Sequence, residues 1–564
     1  MIASIAVAGS VQLEEDDDGS ILFVSPDLEN EDQPVTGGRT RIAGNVVGLV
    51  GSPGSPAGDA SNGIIVWAGA SDLTIDSNTI GGASTGFTGV AITGGANHRV
   101  IGNRVGAVGA AVSDGITIVD SAAATIGAPD ADANVLFTTR SSIEVDGASV
   151  QARIEANRIN GVGGENVAIE VDAAATGATV ISNEITGGSL GLVIGANGSL
   201  LTGNSVSDLS GSGIISTGDQ TGIATNAVFG VGGAGAVVAG GESVDVSENR
   251  IGLGTGNAVE GNDGAGIVVS AGTVSVGHNI VAGSDADGIQ IVTGVVGTLR
   301  GNRIFESGTN AISTAAGPDT PRLAGAIRSG TAAAPRTTLV INELPEGDEG
   351  TIEVFANDSC SDPEAKYVLE ITRVKAPGDT ARIIQIVGNE SRDHFTVTYT
   401  DGEGRTSALS NCESRATYPD SDGDGVVDPI DELSGGEDDP TTAALVTDSE
   451  DILFLKVADL DVDAGIGGGR FELVAIVDDP DTSGHGEGWS LPYGAISFRV
   501  SELEPGGRTV VTVTTLSGDE PIAGTAYWKY GPQVAGGPAE WYDFTYDETS
   551  GTGAVVATTT PSSS

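Results

Sequence analysis

The densest set of potential ligand atoms in the chain is Asp420-Ser-Asp422-Gly-Asp424-Gly-Val426-Val-Asp428-Pro-Ile-Asp431. Carboxylates fall at positions 1, 3, 5, 9 and 12 of this loop, with glycine at position 6 and the Val426 carbonyl at position 7. Calcium takes six to eight hard oxygen ligands, and this alternation lets one short loop wrap an ion. Calcium (Ca2+) is therefore the expected cofactor of Asp420, Asp422, Asp424, Val426, Asp428 and Asp431. Position 12 is aspartate where glutamate would give bidentate closure, and no evident helices flank the loop. The competing reading is a flexible acidic linker.

Elsewhere the candidate acids are Asp114, Asp120, Asp146, Glu170, Asp172, Asp263, Asp285 and Asp287. A polysaccharide lyase needs carboxylates for calcium and a basic side chain for the proton beside the uronate carboxyl. A hydrolase needs two or three carboxylates at a controlled separation. The sequence gathers these acids into neither set, so no catalytic residue is assigned. Arg104, Arg158, Arg250 and Arg303 recur at one repeat position; they are expected outside, as ion-pair partners for neighbouring acids or as a stripe for an anionic glycan. His98 and His278 lack paired ligand spacing and read as turn or surface residues.

The elements that must position these groups are set by a repeat. Asparagine recurs at 45, 78, 103, 134, 157, 183, 204, 226, 249, 279 and 302, each followed two residues later by an aliphatic side chain. A second phrase follows, as in Gly89-Val-Ala-Ile, Gly115-Ile-Thr-Ile, Gly191-Leu-Val-Ile and Gly288-Ile-Gln-Ile. Period-two alternation marks strands with one buried face, and near-constant spacing with occasional insertions marks a solenoid. Asparagine and the aliphatic residue two positions on share a face. Both should point inward, with the asparagines hydrogen-bonding along the coil axis. Glycine and asparagine are expected at the positive-φ corners. The prediction is an all-β chain: a right-handed parallel β-helix of about eleven coils over residues 41–318, followed by two β-sandwich-like domains. These phrases resemble those of secreted bacterial proteins of the pectate-lyase-like β-helix group. The hydrolases of that group carry Asn-Thr-Asp, Asp-Asp and Arg-Ile-Lys phrases, which these coils lack.

Residues 1–40 read as a cap for the first coil or the remnant of a secretion leader, Ile2 to Ala8 being apolar but short. Residues 319–415 read as a small β-sandwich bracketed by Cys360 and Cys412, which are expected to form one disulfide. Residues 416–440 are the acidic calcium linker; the loop resembles those of thrombospondin type 3 repeats and dockerin-like modules. Residues 441–564 carry Leu491-Pro-Tyr-Gly, Tyr527-Trp-Lys-Tyr-Gly-Pro532 and Trp541-Tyr-Asp-Phe544 and resemble choice-of-anchor domains of bacterial surface proteins. In those proteins an anchoring tail follows; here the sequence ends in a Ser/Thr stretch. Trp528, Tyr530, Trp541 and Tyr542 are expected in a core, with a sugar-stacking platform as the alternative.

The formal charge is −52 over 564 residues, from 77 acidic and 25 basic side chains. So acidic a surface disfavours nucleic acid and anionic membrane as direct partners, and no apolar run reaches transmembrane length. High-salt adaptation, calcium loading and ordinary secreted-protein composition all account for the acidity. The expected protein is an extracellular or cell-surface monomer, structural and adhesive, that binds a polysaccharide or cell-surface glycan. A lyase or hydrolase acting on acidic polysaccharide is the alternative. If the loop binds calcium, replacing Asp422 and Asp424 with alanine will abolish calcium-dependent protection from proteolysis near Tyr418. Unchanged protection in the double variant would remove the ion from the account.

Overall fold

The structure, a computed structural model, describes residues 71–416 with short breaks, together with separate strands before residue 71 and after residue 441. The proposed calcium loop and the Ser/Thr tail lie outside the described residues. The described chain is all-β with nearly no helix, and none long and apolar enough to cross a membrane. It divides into two compact units.

The first unit comprises residues 1–317 with two short segments from later in the sequence, 364–368 and 403–409. It is a parallel β-solenoid of about nine turns, slightly fewer than the eleven coils expected. Eleven strands stack in the sheet that precedes the asparagines. Ten steps join them, from Arg41–Ala43 to Val296–Arg300. A turn is one such step, so counting asparagines overstates turns. Ile5–Val7 is a strand that pairs in parallel with Ile64–Val66, extending the stack at its start.

One ladder of side chains runs through the coils. The Asn183 Nδ2 donates to Asn204 Oδ1 at 2.9 Å, Asn204 Nδ2 to Asn226 Oδ1 at 2.8 Å, and Asn226 Nδ2 to Asn249 Oδ1 at 3.0 Å. The same pattern holds from Asn78 to Asn302. A second donation from each Nδ2 goes to a carbonyl of the coil before, for example Asn226 to Leu201 O at 3.0 Å. Each of these asparagines is buried and satisfied on both sides. The ladder thus meets its own polar demand with protein partners.

The corners differ from expectation. The left-handed residue is the one before the asparagine, and it is often neither glycine nor asparagine: Ser77, Ala156, Ser182, Thr225, Glu248 and His278 all have φ between 53° and 56°. A left-handed conformation costs an ordinary residue about 1–2 kcal/mol, which the ladder beside it offsets. The glycine of the second phrase has a different reason. A Cβ on Gly213 would lie 2.2 Å from Val228 Cγ1 and 2.7 Å from the Gly235 carbonyl oxygen. Gly89 and Gly191 meet the same pair of obstacles. The aliphatic residue of the next coil's asparagine phrase fills the space above each glycine, which is why the two phrases travel together.

The last coil is covered by the two later segments. Ile304 bridges antiparallel to Ala365, Thr298 Oγ1 donates to Gly404 O at 2.6 Å, and Leu299 N donates to Thr406 Oγ1 at 2.9 Å. An otherwise open strand edge is thereby paired.

The second unit contains most of a seven-stranded, mainly antiparallel sheet formed by strands between Arg322 and Ala416. Smaller antiparallel sheets include Thr442–Val446, Ile452–Val457 and Val511–Thr515. Cys360 and Cys412 form a disulfide with Cα atoms 5.4 Å apart.

Two substitutions separate these contributions. Asn226→Leu strips the acceptor from the Asn204 amide and side chain, and should cost at least about 2 kcal/mol in denaturant unfolding. Thr225→Gly relieves the left-handed strain one residue away and should gain up to about 1 kcal/mol.

Candidate functional site

Alternation on the strands of the second phrase fixes which side chains leave the core. Ile143 and Val145 are buried on either side of Glu144, and Ile169 and Val171 on either side of Glu170, so both glutamates point outward. Register places Thr117, Glu144, Glu170 and Val193 in one outer column on successive coils. The column then continues through Ile215, Val237 and Val268. Two half-buried acids therefore stack side by side, and the next four positions are aliphatic.

Arg140 completes the group. It occupies the exposed bend within the strand Val135–Asp146, and its Nη2 donates to Asp114 Oδ2 at 2.5 Å. The Asp114 side chain is only 3% exposed, against 64% for Arg140. Asp114 Oδ1 is buried without a partner, and so is the Oγ of Ser141, its register neighbour. The Asp114 carboxylate holds the Arg140 guanidinium above its usual range. Burial first, then the adjacent Glu170 carboxylate, push the Glu144 carboxyl up, with Arg140 partly opposing them. Like charges on neighbouring strands are destabilising, so the scaffold tolerates this pair at a cost, as functional sites often do.

Among the acids marked in the sequence, Asp114, Asp120, Asp146, Glu170 and Asp172 fall on three neighbouring coils. Asp120, Asp146 and Asp172 serve turns: their Oδ1 atoms accept from Ala148 N, Gly147 N and Ala174 N at 2.8, 2.6 and 2.8 Å. Asp287 lies coils away. Burial would raise its carboxyl, but donors from Thr309, Asn310 and Ser313 outweigh that and lower it; it ties a corner. Asp263 and Asp285 are exposed, near the turns that lead into the strands Ile267–Val269 and Ile289–Ile291.

The arginine expectation needs correction. The four do share a position, but among the described residues Arg158 is the one with an ion pair, to Glu184 at 3.5 Å. Arg104 lies over the Phe137 ring, and Arg303 over Phe305 and Tyr367. Arg250 Nη2 is 3.5 Å from Gly254 O, so aromatic faces stand in for acids at Arg104 and Arg303 alone. His98 is also corrected: it is fully buried, its Nε2 is 3.1 Å from Gly94 O, and burial lowers its pKa. His278 is an exposed corner, as expected. Tyr530 is 36% exposed and packs edge-on against its register partner Trp541 at 5.4 Å, while Tyr542, opposite Lys529, lies on the other face of the hairpin. His394 lies near Cys360 and Cys412, but the two sulfurs bind each other, and His394 Nδ1 pairs with Ser414 Oγ at 3.0 Å.

No protein-family model matches the chain, and no curated protein does. Among solved structures, PfbA, a surface adhesin of Streptococcus pneumoniae, is similar at 11% identity over 68% of this chain and 84% of that one, with a TM-score of 0.32. The periplasmic alginate epimerase AlgG is similar at 15% identity over 44% of this chain, with a TM-score of 0.29; the chain spans 63% of its length. Tailspike protein 2 of bacteriophage CBA120 shares 10% identity over 70% of this chain and 64% of its own, with a TM-score of 0.28. The parallel β-solenoid class rests on the strand pairings of the chain itself.

The raised Glu144 carboxyl has a testable sign. The folded state holds this proton more tightly than the unfolded state, so the contribution is full below the unfolded pKa and is lost as pH rises through the folded one. Glu144→Gln removes that loss. Its denaturant midpoint relative to the parent should therefore rise as pH climbs above the ordinary glutamate range.

Proposed function

We propose that this is a secreted or cell-surface protein whose solenoid binds an extended, uncharged polysaccharide along the outer face of the second-phrase sheet. One observation carries the reading: Glu144 and Glu170, with Arg140 beside them, interrupt a column that is otherwise uncharged among the described residues, in a chain of net charge −52. Carboxylates and a guanidinium are strong acceptors and donors for sugar hydroxyls. The run Val193, Ile215, Val237 and Val268 offers a flat apolar surface for ring faces, one residue per coil.

An uncharged ligand replaces the acidic polysaccharide considered from sequence. The nearest cation, Arg140, is already neutralised by Asp114, and Glu144 and Glu170 would repel a uronate. The disulfide supports an oxidising compartment. The calcium loop at Asp420–Asp431, if loaded, would stiffen the linker after the sandwich and hold the solenoid away from its attachment.

Affinity electrophoresis against neutral and uronate polysaccharides tests this. Binding to a neutral polymer is expected, weakened at least tenfold in Arg140→Ala and Val237→Lys and unchanged in Asp263→Asn, with a weak dependence on salt. Retention by uronate polymers alone would overturn it.

A further inference from the structure

Three side chains that suit a soft cation meet in the sheet of the second unit. The strand His394–Thr400 pairs on one side with Gly350–Asn357, where His394 faces Asn357, and on the other with Glu413–Ala416, where it faces Ser414. Cys360 lies three residues beyond Asn357, and Cys412 immediately precedes Glu413. Backbone pairing therefore brings both cysteines to the His394 end of the middle strand, whether or not they are bonded. One ligand atom each from Cys360, His394 and Cys412 lies within 4.8 Å of the others. Ser414 Oγ borders the group, 3.0 Å from His394 Nδ1 and 3.9 Å from Cys360 Sγ. All three side chains are half-buried, so solvent reaches them. A disulfide takes two sulfurs alone; the imidazole is the part that only a metal would use.

We propose that Cys360, Cys412 and His394 form a redox-gated site for a thiolate-preferring divalent cation, zinc by ligand type. While the two sulfurs bind each other the site is shut. A dithiol opens it: two electrons and two protons pass to the Cys360–Cys412 bond, which breaks into two thiols, and the dithiol closes to its own disulfide. The metal then takes both sulfurs as thiolates, and two protons leave. Zinc holds sulfur at about 2.3 Å, which sets the two sulfurs of a tetrahedral site about 3.8 Å apart. With Cα atoms 5.4 Å apart, each sulfur reaches that separation by turning about its own Cα–Cβ bond. Two thiolates and one imidazole leave a fourth position for water or the Ser414 hydroxyl. Calcium, a hard cation, prefers oxygen and is excluded by the same ligand set. Bond and metal tie the same three strand ends together, so the sheet keeps a cross-link in both redox states.

The intact protein is reduced with a water-soluble phosphine, freed of it without air, and titrated with cobalt(II), whose bonds to thiolate absorb in the near ultraviolet. The reduced parent is expected to take up one ion per chain with that absorbance and with the visible bands of a tetrahedral site. Zinc should then displace the cobalt. The oxidised parent should show neither signal, because carboxylates such as those of the 420–431 loop bind cobalt without thiolate absorbance. His394→Ala keeps both cysteines, and a thiol titration before reduction checks that its disulfide has formed. Its affinity after reduction should fall at least about tenfold, whereas His278→Ala should match the parent. A reduced protein without the absorbance, an oxidised protein that shows it, or equal affinity in His394→Ala and the parent would each overturn the site.

Discussion

The asparagine ladder is the interaction on which the rest of the structure depends. A parallel stack of short strands has a corner in every coil, where backbone amides turn inward and lose water. In each unit one asparagine accepts from the coil before and donates to the coil after and to a carbonyl behind it. Because every rung needs its neighbours, the register of the whole stack is set together. A slip of one residue would move each asparagine to the outer face and leave the corner amides unsatisfied.

That constraint also explains what the corners tolerate. With the ladder fixing the position after the turn, the left-handed residue can be threonine, glutamate or histidine at Thr225, Glu248 and His278. The cost is local, and the hydrogen bonds beside it exceed it. Glycine is reserved for a steric role, where the next coil's aliphatic side chain presses on the strand start. Outer-face positions carry no such demands, and most of the column that includes Glu144 is uncharged. A pair of stacked acids there answers no requirement of the fold, which gives Glu144, Glu170 and Arg140 their functional weight.

The same logic separates the acids. Asp120, Asp146, Asp172 and Asp287 spend their oxygens on turn amides and hydroxyls. Asp114 spends one oxygen on Arg140 and leaves the other free. Composition alone treats these residues alike, and the hydrogen-bond accounting sorts them.

The sequence by itself determined the solenoid. Asn-x-aliphatic and Gly-x-x-aliphatic phrases are short-range patterns whose period reports which face is buried, and the stacked asparagines follow from that parity. Glu144 and Arg140 escaped notice for a physical reason. Arg140 is 26 residues from Asp114, as Glu144 is from Glu170, and insertions of varying length hide which residues of successive coils become neighbours. Tyr530 and His98 also changed sides, because burial of a single residue depends on packing that periodicity does not carry. Local pattern fixed the coil; only the stacking of one coil on the next decided which charges meet.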